Sequence, residues 1–136
     1  MWIVQNLNIM KTEIAEIRDH LVDLLKIHQA NFTITSDQIE KFEVTGTIKT
    51  MQGKKQVDGI YFATVIPKPK DVRLYFFPIY THVDQFKNLP ENLRKCLKGK
   101  SCFHIKKMDD ALEVAIKELI DKGVQIYQEV GWLTTL

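Results

Sequence analysis

The chain has 136 residues and a mass of 15.9 kDa, a length typical of one domain and too short for two separately cored ones. Hydrophobic residues make up 45% and charged residues 26% of it, which excludes disordered, collagen-like and low-complexity classes. The formal net charge is only +2, but residues 44–107 hold thirteen basic and four acidic side chains, and both flanking segments are acidic. We therefore expect a single domain over residues 1–136 in which binding is confined to particular faces.

Targeting and membrane signals are weak in this sequence. The first ten residues are apolar, but no basic segment precedes them and no small-residue cleavage site follows. The longest apolar run, 60–66, is far shorter than the roughly 20 residues of a membrane span. Two cysteines, Cys96 and Cys102, are too few for a disulfide scaffold and lack the spacing of a structural zinc site. We expect a cytoplasmic protein in a reducing compartment, without membrane association.

The first predicted element is an amphipathic helix from about Asn8 to His28. Its apolar residues recur at alternating spacings of four and three, as one stripe of a helix requires. The stripe consists of Met10, Ile14, Ile17, Leu21, Leu24 and His28. Asn6 or Asn8 would cap the helix, and the polar segment 31–37 would follow it as a loop.

Three strands are predicted next. Residues 42–49 alternate apolar and polar side chains, and Gly46 on the apolar side indicates a bulge or a close approach by another backbone. Residues 51–56 read as a hairpin loop into a second strand, 57–66, which is apolar on both faces and therefore interior. Residues 71–77 form the third strand. The short connections exclude a doubly wound parallel sheet.

The next part of the chain predicts a short helix and a fourth strand. Asn88 and Glu91 have the spacing of a capping box, which predicts a helix from about Pro90 to Leu97 with Gly99 just beyond its end. The fourth strand covers 101–105, with the side chains of its second and fourth residues on the face opposite the core.

The last predicted element is a long helix that Asp109 caps. Its apolar seam continues through Gly123 to about Val130, with Gly131 as the C-terminal cap; a break at Gly123 is the alternative. The element order of helix, three antiparallel strands, short helix, strand and helix predicts an α+β two-layer sandwich.

The sequence lacks the motifs of several enzyme classes. It contains no G-x-x-x-x-G-K-[ST], G-x-G-x-x-G, H-E-x-x-H or G-x-S-x-G, which argues against NTPases, dinucleotide oxidoreductases, zinc proteases and serine hydrolases. An enzyme that uses Cys96 or Cys102 with a histidine is a third hypothesis, weaker than the interpretation of both cysteines as small buried apolar residues. We expect a non-enzymatic binding protein.

Four carboxylates on the first helix are candidate metal ligands. Glu13, Glu16, Asp19 and Asp23 are spaced three, three and four residues apart, which places them along one exposed edge. Such oxygen ligands could hold ferrous iron weakly, although a plain solvated helix face explains them as well.

The basic region from Tyr80 to Lys107 is a candidate site for an anionic small molecule or a partner. Residues 87–107 hold seven basic side chains and one acidic one. The candidate ligand-binding residues are Tyr80, His82, Lys98, Lys100, Cys102 and His104. Single-stranded nucleic acid is the disfavoured alternative, because the nearby aromatic residues fit a core and a pI near 8.5 is modest.

Three segments carry a family resemblance: VTGTIKTMQGKKQVDGIYFATVIP, LYFFPIYTHVDQF and LKGKSCFHIKK. They resemble the small bacterial YdhG-like proteins, and the similarity extends over roughly residues 42–132. The resemblance implies a frataxin-like fold, in which an antiparallel sheet of about four to five strands carries the N- and C-terminal helices on one face. It also implies an iron-chaperone role in iron–sulfur cluster and haem assembly, with an acidic ridge formed here by the four helix carboxylates and Glu43.

Overall fold

A computed structural model describes residues 10–135. The helices are α1 (Ile14–Lys26), α2 (Pro78–Thr81), α3 (Glu91–Arg94) and α4 (Asp110–Glu129). The strands are β1 (Thr33–Gln38), β2 (Lys41–Thr45), β3 (Thr50–Gln52), β4 (Lys55–Val57), β5 (Tyr61–Pro67), β6 (Val72–Phe76), β7 (Leu97–Lys98) and β8 (Cys102–Ile105). Short 3-10 turns occupy Gln29–Asn31 and Val83–Phe86.

Six of these strands form one antiparallel sheet in the order β1, β2, β5, β6, β8, β7, and β3 pairs with β4 in a separate hairpin. The α+β class is therefore confirmed. The expected number of four to five strands is wrong, because β1 and β7 were not predicted. Both are strands of the sheet edges, where there is little apolar alternation to reveal them.

The two faces of the sheet differ in chemistry. Phe42, Val44, Leu74, Phe76 and Phe103 are buried on one face, over which α1 and α4 pack. The residues between them alternate to the other face, as the pleat of a strand requires. Cross-strand pairing places Glu43, Thr64, Tyr75 and Cys102 in one row there. We call this the polar face of the sheet.

The first helix begins later than its apolar stripe predicts. Residues 10–13 are not helical, because Lys11 forms an antiparallel backbone bridge with Met108. The two N–H···O distances of this bridge are 2.7 and 2.8 Å. The predicted caps Asn6 and Asn8 lie outside the described residues. The stripe itself is confirmed where the helix exists, since Ile17, Leu21 and Leu24 are buried.

The segment predicted as a loop at 31–37 is largely strand β1. Its sequence TITSDQ is polar, and five of its six residues are exposed. The strand nevertheless pairs with β2 from Thr33 to Gln38, with a bulge between Ile34 and Ser36. Backbone pairing, rather than burial of side chains, therefore defines this edge strand.

The segment between β2 and β5 was predicted in part. β2 ends at Thr45 and β5 begins at Tyr61. The predicted strand 42–49 therefore ends too late, and the predicted strand 57–66 begins too early. Residues 50–57 form the hairpin β3–β4, which turns at Gly53 with a φ of 65°. The expected close approach at Gly46 is confirmed, because a Cβ there would collide with the carbonyl oxygen of Trp132.

The predicted short helix is only one turn, α3. Pro90 stands at its N-cap position and no side chain caps it, so the expected capping box of Asn88 and Glu91 does not form. The chain then forms the two-residue strand β7, which pairs with β8 across a turn at Gly99. Strand β8 has the predicted alternation, since Phe103 is buried and its neighbours are partly exposed.

Helix α4 is continuous through Gly123, as its seam predicts. Asp109 caps it by accepting a hydrogen bond of 2.9 Å from the Leu112 N–H. At the other end, Gly131 adopts a φ of 82° and the Trp132 N–H donates to the Tyr127 carbonyl at 2.8 Å, as in a Schellman motif. No helix within residues 10–135 is long and apolar enough to cross a membrane.

Candidate functional site

An apolar cleft opens between residues 79–89 and residues 94–100. Its volume is about 470 Å³, within the range of small-molecule sites. The lining residues are Ile79, Tyr80, Val83, Phe86, Lys87, Leu89, Arg94, Leu97, Gly99 and Lys100. Tyr80 and Val83 expose more than half of their surface. We call this site the apolar cleft.

The floor of the apolar cleft is part of the protein core. Phe86 is only 6% exposed, and its ring lies 5.8 Å from the ring of Phe76, edge to face. Phe76 contacts Phe62 at 5.4 Å, and Phe62 contacts Phe32 at 4.7 Å. Four rings thus run as a ladder from Phe32, just before β1, to the floor of the cleft.

Three cations lie on the rim of the apolar cleft. Arg94 forms an ion pair with Glu91, and Lys87 Nζ lies 3.4 Å from Asp84 Oδ1. Lys100 has no carboxylate partner among residues 10–135; its Nζ lies 5.9 Å from the ring centroid of Tyr80. Lys100 is therefore the rim cation that is available to a bound anion.

A second concave surface lies at the start of α4 and has a volume of about 590 Å³. It is lined by Met10, Asp71, Asn92, Lys95, Cys96, Lys98, His104, Lys106, Lys107, Asp109 and Leu112. We call it the lysine depression. The segment 91–100 separates it from the apolar cleft, because Lys95 and Lys98 face the depression while Arg94 and Leu97 face the cleft.

A buried carboxylate organises the floor of the lysine depression. Asp71 is 6% exposed and accepts a hydrogen bond of 3.0 Å from Arg73 Nε. His104 Nδ1 lies 3.6 Å from the other carboxylate oxygen of Asp71. Burial and the neighbouring Arg73 cation lower the pKa of His104. A neutral imidazole is therefore favoured there at neutral pH.

The six predicted ligand-binding residues do not form one site. Tyr80 and Lys100 line the apolar cleft, whereas Lys98 and His104 line the lysine depression. Cys102 lies on the polar face of the sheet, where it pairs with Tyr75.

His82 belongs to neither surface. Its ring packs edge to face on Trp132 at 5.4 Å, and Thr81 Oγ1 lies 2.8 Å from its Nδ1. His82 and His104 therefore do not converge in a pocket.

The two cysteines have the environment of inert thiols. Burial raises the pKa of Cys96 and of Cys102, whereas a nucleophilic cysteine requires a lowered pKa. Cys96 Sγ donates a weak hydrogen bond of 3.5 Å to the Asn92 carbonyl. Lys98 beside Cys96 and Arg73 beside Cys102 act in the opposite direction, but burial outweighs them and the pKa of each half-buried thiol stays raised.

The four predicted carboxylates lie on one exposed surface, but only three belong to α1, because Glu13 stands at the N-cap position just before the helix. Glu13, Glu16, Asp19 and Asp23 line a shallow depression together with His20, and Asp19 accepts a hydrogen bond of 3.0 Å from Arg18. Glu43 does not join them, because it lies on the polar face of the sheet. Within residues 10–135, no group of three or more His, Cys, Asp or Glu side chains is arranged to hold a metal ion.

Several site residues were not predicted from the sequence. Val83 and Phe86 belong to a 3-10 turn, where helical periodicity gives no signal. The sequence pattern predicts Asp71 only as the start of a strand, and the structure places it just before β6. Its spacing of two from Arg73, which puts both side chains on one side of extended backbone, is the signal that could have indicated the ion pair.

The chain was compared with protein-family models, with curated proteins and with solved structures. None of the three comparisons gives a match. The two concave surfaces and the charges around them therefore carry the functional argument.

Proposed function

We propose that the protein is a small binding protein whose apolar cleft takes an amphiphilic anion, a molecule with an apolar body and one carboxylate or similar headgroup. One observation carries this proposal: on the rim of a preformed apolar cleft stands a cation, Lys100, that has no carboxylate partner among residues 10–135. The apolar body would lie against Phe86, Leu89 and Leu97, where burial of hydrocarbon supplies affinity. The headgroup would form a charge-assisted hydrogen bond with Lys100.

Decanoate and its neutral analogue decanol test the proposal by isothermal titration calorimetry. We expect decanoate to bind at one saturable site, and Lys100→Gln to weaken it about tenfold without affecting decanol, since one charge-assisted hydrogen bond is lost. Lys54→Gln removes the same charge from the β3–β4 hairpin and serves as the matched control. Equal affinities of decanoate and decanol, or equal effects of the two variants, would refute the role of Lys100.

A relationship to the YdhG-like proteins, a frataxin-like arrangement and a cytoplasmic location belong to the same proposal. Support for the arrangement comes from the order of the long elements: in the chain α1 precedes and α4 follows the strands of an antiparallel sheet, and both helices pack against its apolar face. Support for a reducing compartment comes from the two cysteines, which are both free thiols.

Iron delivery is the second candidate function. The observation that favours it is the surface that Glu13, at the N-cap of α1, shares with Glu16, Asp19 and Asp23. Exposed carboxylates that each offer only one or two oxygen atoms would bind ferrous iron weakly. Weak binding suits a chaperone, which must release its iron to another protein.

An anaerobic calorimetric titration with ferrous iron tests this function. We expect millimolar or tighter binding that is lost when the four carboxylates are replaced by their amides. The control replaces Glu118 and Glu129, two exposed carboxylates of α4, by glutamine. Binding that survives the fourfold α1 variant would rule out this surface as the iron site.

A further inference from the structure

The lining of the lysine depression holds four lysines and two carboxylates, Asp71 and Asp109. Lys95, Lys98, Lys106 and Lys107 form no ion pair with any carboxylate among residues 10–135. Both carboxylates of its lining have other partners. Asp71 binds Arg73, and Asp109 accepts from the Leu112 N–H.

The shape of the depression strengthens this charge. Low-dielectric walls around a concave surface focus the field of the charges that line it. Its lysines come from two separate segments, α3–β7 and the loop before α4, so they approach a bound molecule from two sides. Since His104 Nδ1 faces Asp71, Nε2 is the ring nitrogen left to contact a ligand. Asn92 adds a neutral hydrogen-bonding group.

We propose that the lysine depression is a second site, independent of the apolar cleft, which binds the diphosphate group of a small molecule. Four ammonium groups match a ligand of several negative charges better than a monoanion. Each ammonium is a compact charge with three rotatable donors, which suits phosphate oxygens. The volume of about 590 Å³ leaves room for an organic group beside the phosphates, against Met10 and Leu112.

Isothermal titration of the full chain with sodium pyrophosphate tests this site. We expect saturable binding of one pyrophosphate, with an affinity that falls as the concentration of sodium chloride rises. Lys98→Gln combined with Lys107→Gln should weaken binding at least about tenfold, because two charge-assisted hydrogen bonds are lost. The control, Lys54→Gln with Lys55→Gln, removes the same charge from the β3–β4 hairpin and should change the Kd less than about twofold.

Further readouts separate this site from the apolar cleft and from diffuse attraction. Backbone amide shifts on addition of pyrophosphate should concentrate at residues 95–98 and 104–109. The Lys98/Lys107 variant should retain decanoate binding and a wild-type melting temperature. The proposal is overturned if pyrophosphate does not saturate, if both double variants weaken it equally, or if the shifts cluster at the apolar cleft.

Discussion

Phe62 lies on the apolar face of the sheet because of an irregularity in the pairing of β2 with β5. Val44 pairs with Ala63 and Thr45 with Tyr61, so Phe62 is the additional residue of a β-bulge in β5. Its ring contacts Phe76 on the apolar face and Tyr127 of α4, at 5.4 and 5.2 Å. The bulge therefore adds an aromatic ring to the helix-covered side.

Gly123 provides the space that this aromatic cluster needs under α4. A Cβ there would lie 2.6 Å from Phe76 Cζ and 3.1 Å from Phe62 Cζ, and both rings are fully buried. We expect Gly123→Ala to lower the free energy of unfolding by about 1 to 2 kcal/mol, since overpacking outweighs the better helix propensity of alanine. Urea unfolding followed by circular dichroism measures it.

Val114→Ala, at an exposed position of the same helix, is the control and should change stability by less than about 0.5 kcal/mol. A Gly123→Ala variant more stable than the wild type would show that the rings move aside without cost.

At the scale of elements, the C-terminal end of α4 is tied to the sheet. Its C-terminus is closed by Gly131, whose positive φ allows two backbone hydrogen bonds to turn the chain back toward β2. This turn places the Trp132 carbonyl against Gly46, so the cap of a helix and the bulged part of the sheet depend on each other.

Gly131→Ala should destabilise the protein by about 1 to 2 kcal/mol, because an L-residue with a side chain is strained at this φ. Gly131→Asn should cost less, since asparagine tolerates the left-handed region better. In thermal unfolding we expect the melting temperature to decrease in the order wild type, Gly131→Asn, Gly131→Ala. If alanine equals glycine, the helix ends without the Schellman geometry.

At the scale of the whole molecule, two tyrosines join the sheet to α4. Tyr127 is fully buried and its hydroxyl donates a hydrogen bond of 2.6 Å to the Tyr61 carbonyl. Burial raises the pKa of Tyr61 to about 12 and raises the pKa of Tyr127 as well. Both phenols therefore hold their protons more tightly in the folded protein than in the unfolded chain.

Stability should consequently fall above pH 10. In the unfolded chain Tyr61 and Tyr127 lose their protons near pH 10, whereas in the folded protein the pKa of Tyr61 is about 12 and the pKa of Tyr127 is raised as well. The stabilising difference is complete below pH 10 and is lost as pH rises through the folded pKa values, by up to about 1.4 kcal/mol per pH unit for each tyrosine. Urea midpoints between pH 8 and 11 measure this slope.

Absorbance at the tyrosinate band provides an independent check, because between pH 8 and 11 Tyr61 and Tyr127 should stay largely protonated while the chain is folded and ionise when it unfolds. The variant Tyr127→Phe should have a shallower decline in stability above pH 10. A decline identical to that of the wild type would contradict the contribution of Tyr127.

The elements that the sequence predicted well are those that bury one apolar face in the core. In α4, β8 and α1 the apolar residues recur at the regular spacing of a helix or a strand, and this spacing is visible in the sequence. Asp109 also marks the start of α4 as its cap. Strand β1 was missed because backbone pairing at a sheet edge leaves no such period. The start of α1 was misplaced because a long-range bridge from Lys11 to Met108 overrides local helix preference.

The sequence predicted which region of the chain lines the candidate sites, but not which residues lie together in space. The basic segment 87–107 does line both concave surfaces. Sequence spacing could not separate Lys98 from Lys100, because the tight turn at Gly99 sends these two side chains to opposite sides of one segment. The floor residues Phe86 and Asp71 were missed because tertiary contacts alone bring them there.

The ladder of four phenylalanine rings has a consequence for how the apolar cleft responds to a ligand. Because Phe86 is the last ring of a ladder that begins at Phe32, the cleft floor cannot widen without loosening contacts across the core. The entropy of ordering the floor is thus already lost on folding, and binding does not incur it again. The ladder thus preforms the floor of the apolar cleft but not its exposed wall residues Tyr80 and Val83, and we expect a ligand to be selected by its fit to that floor.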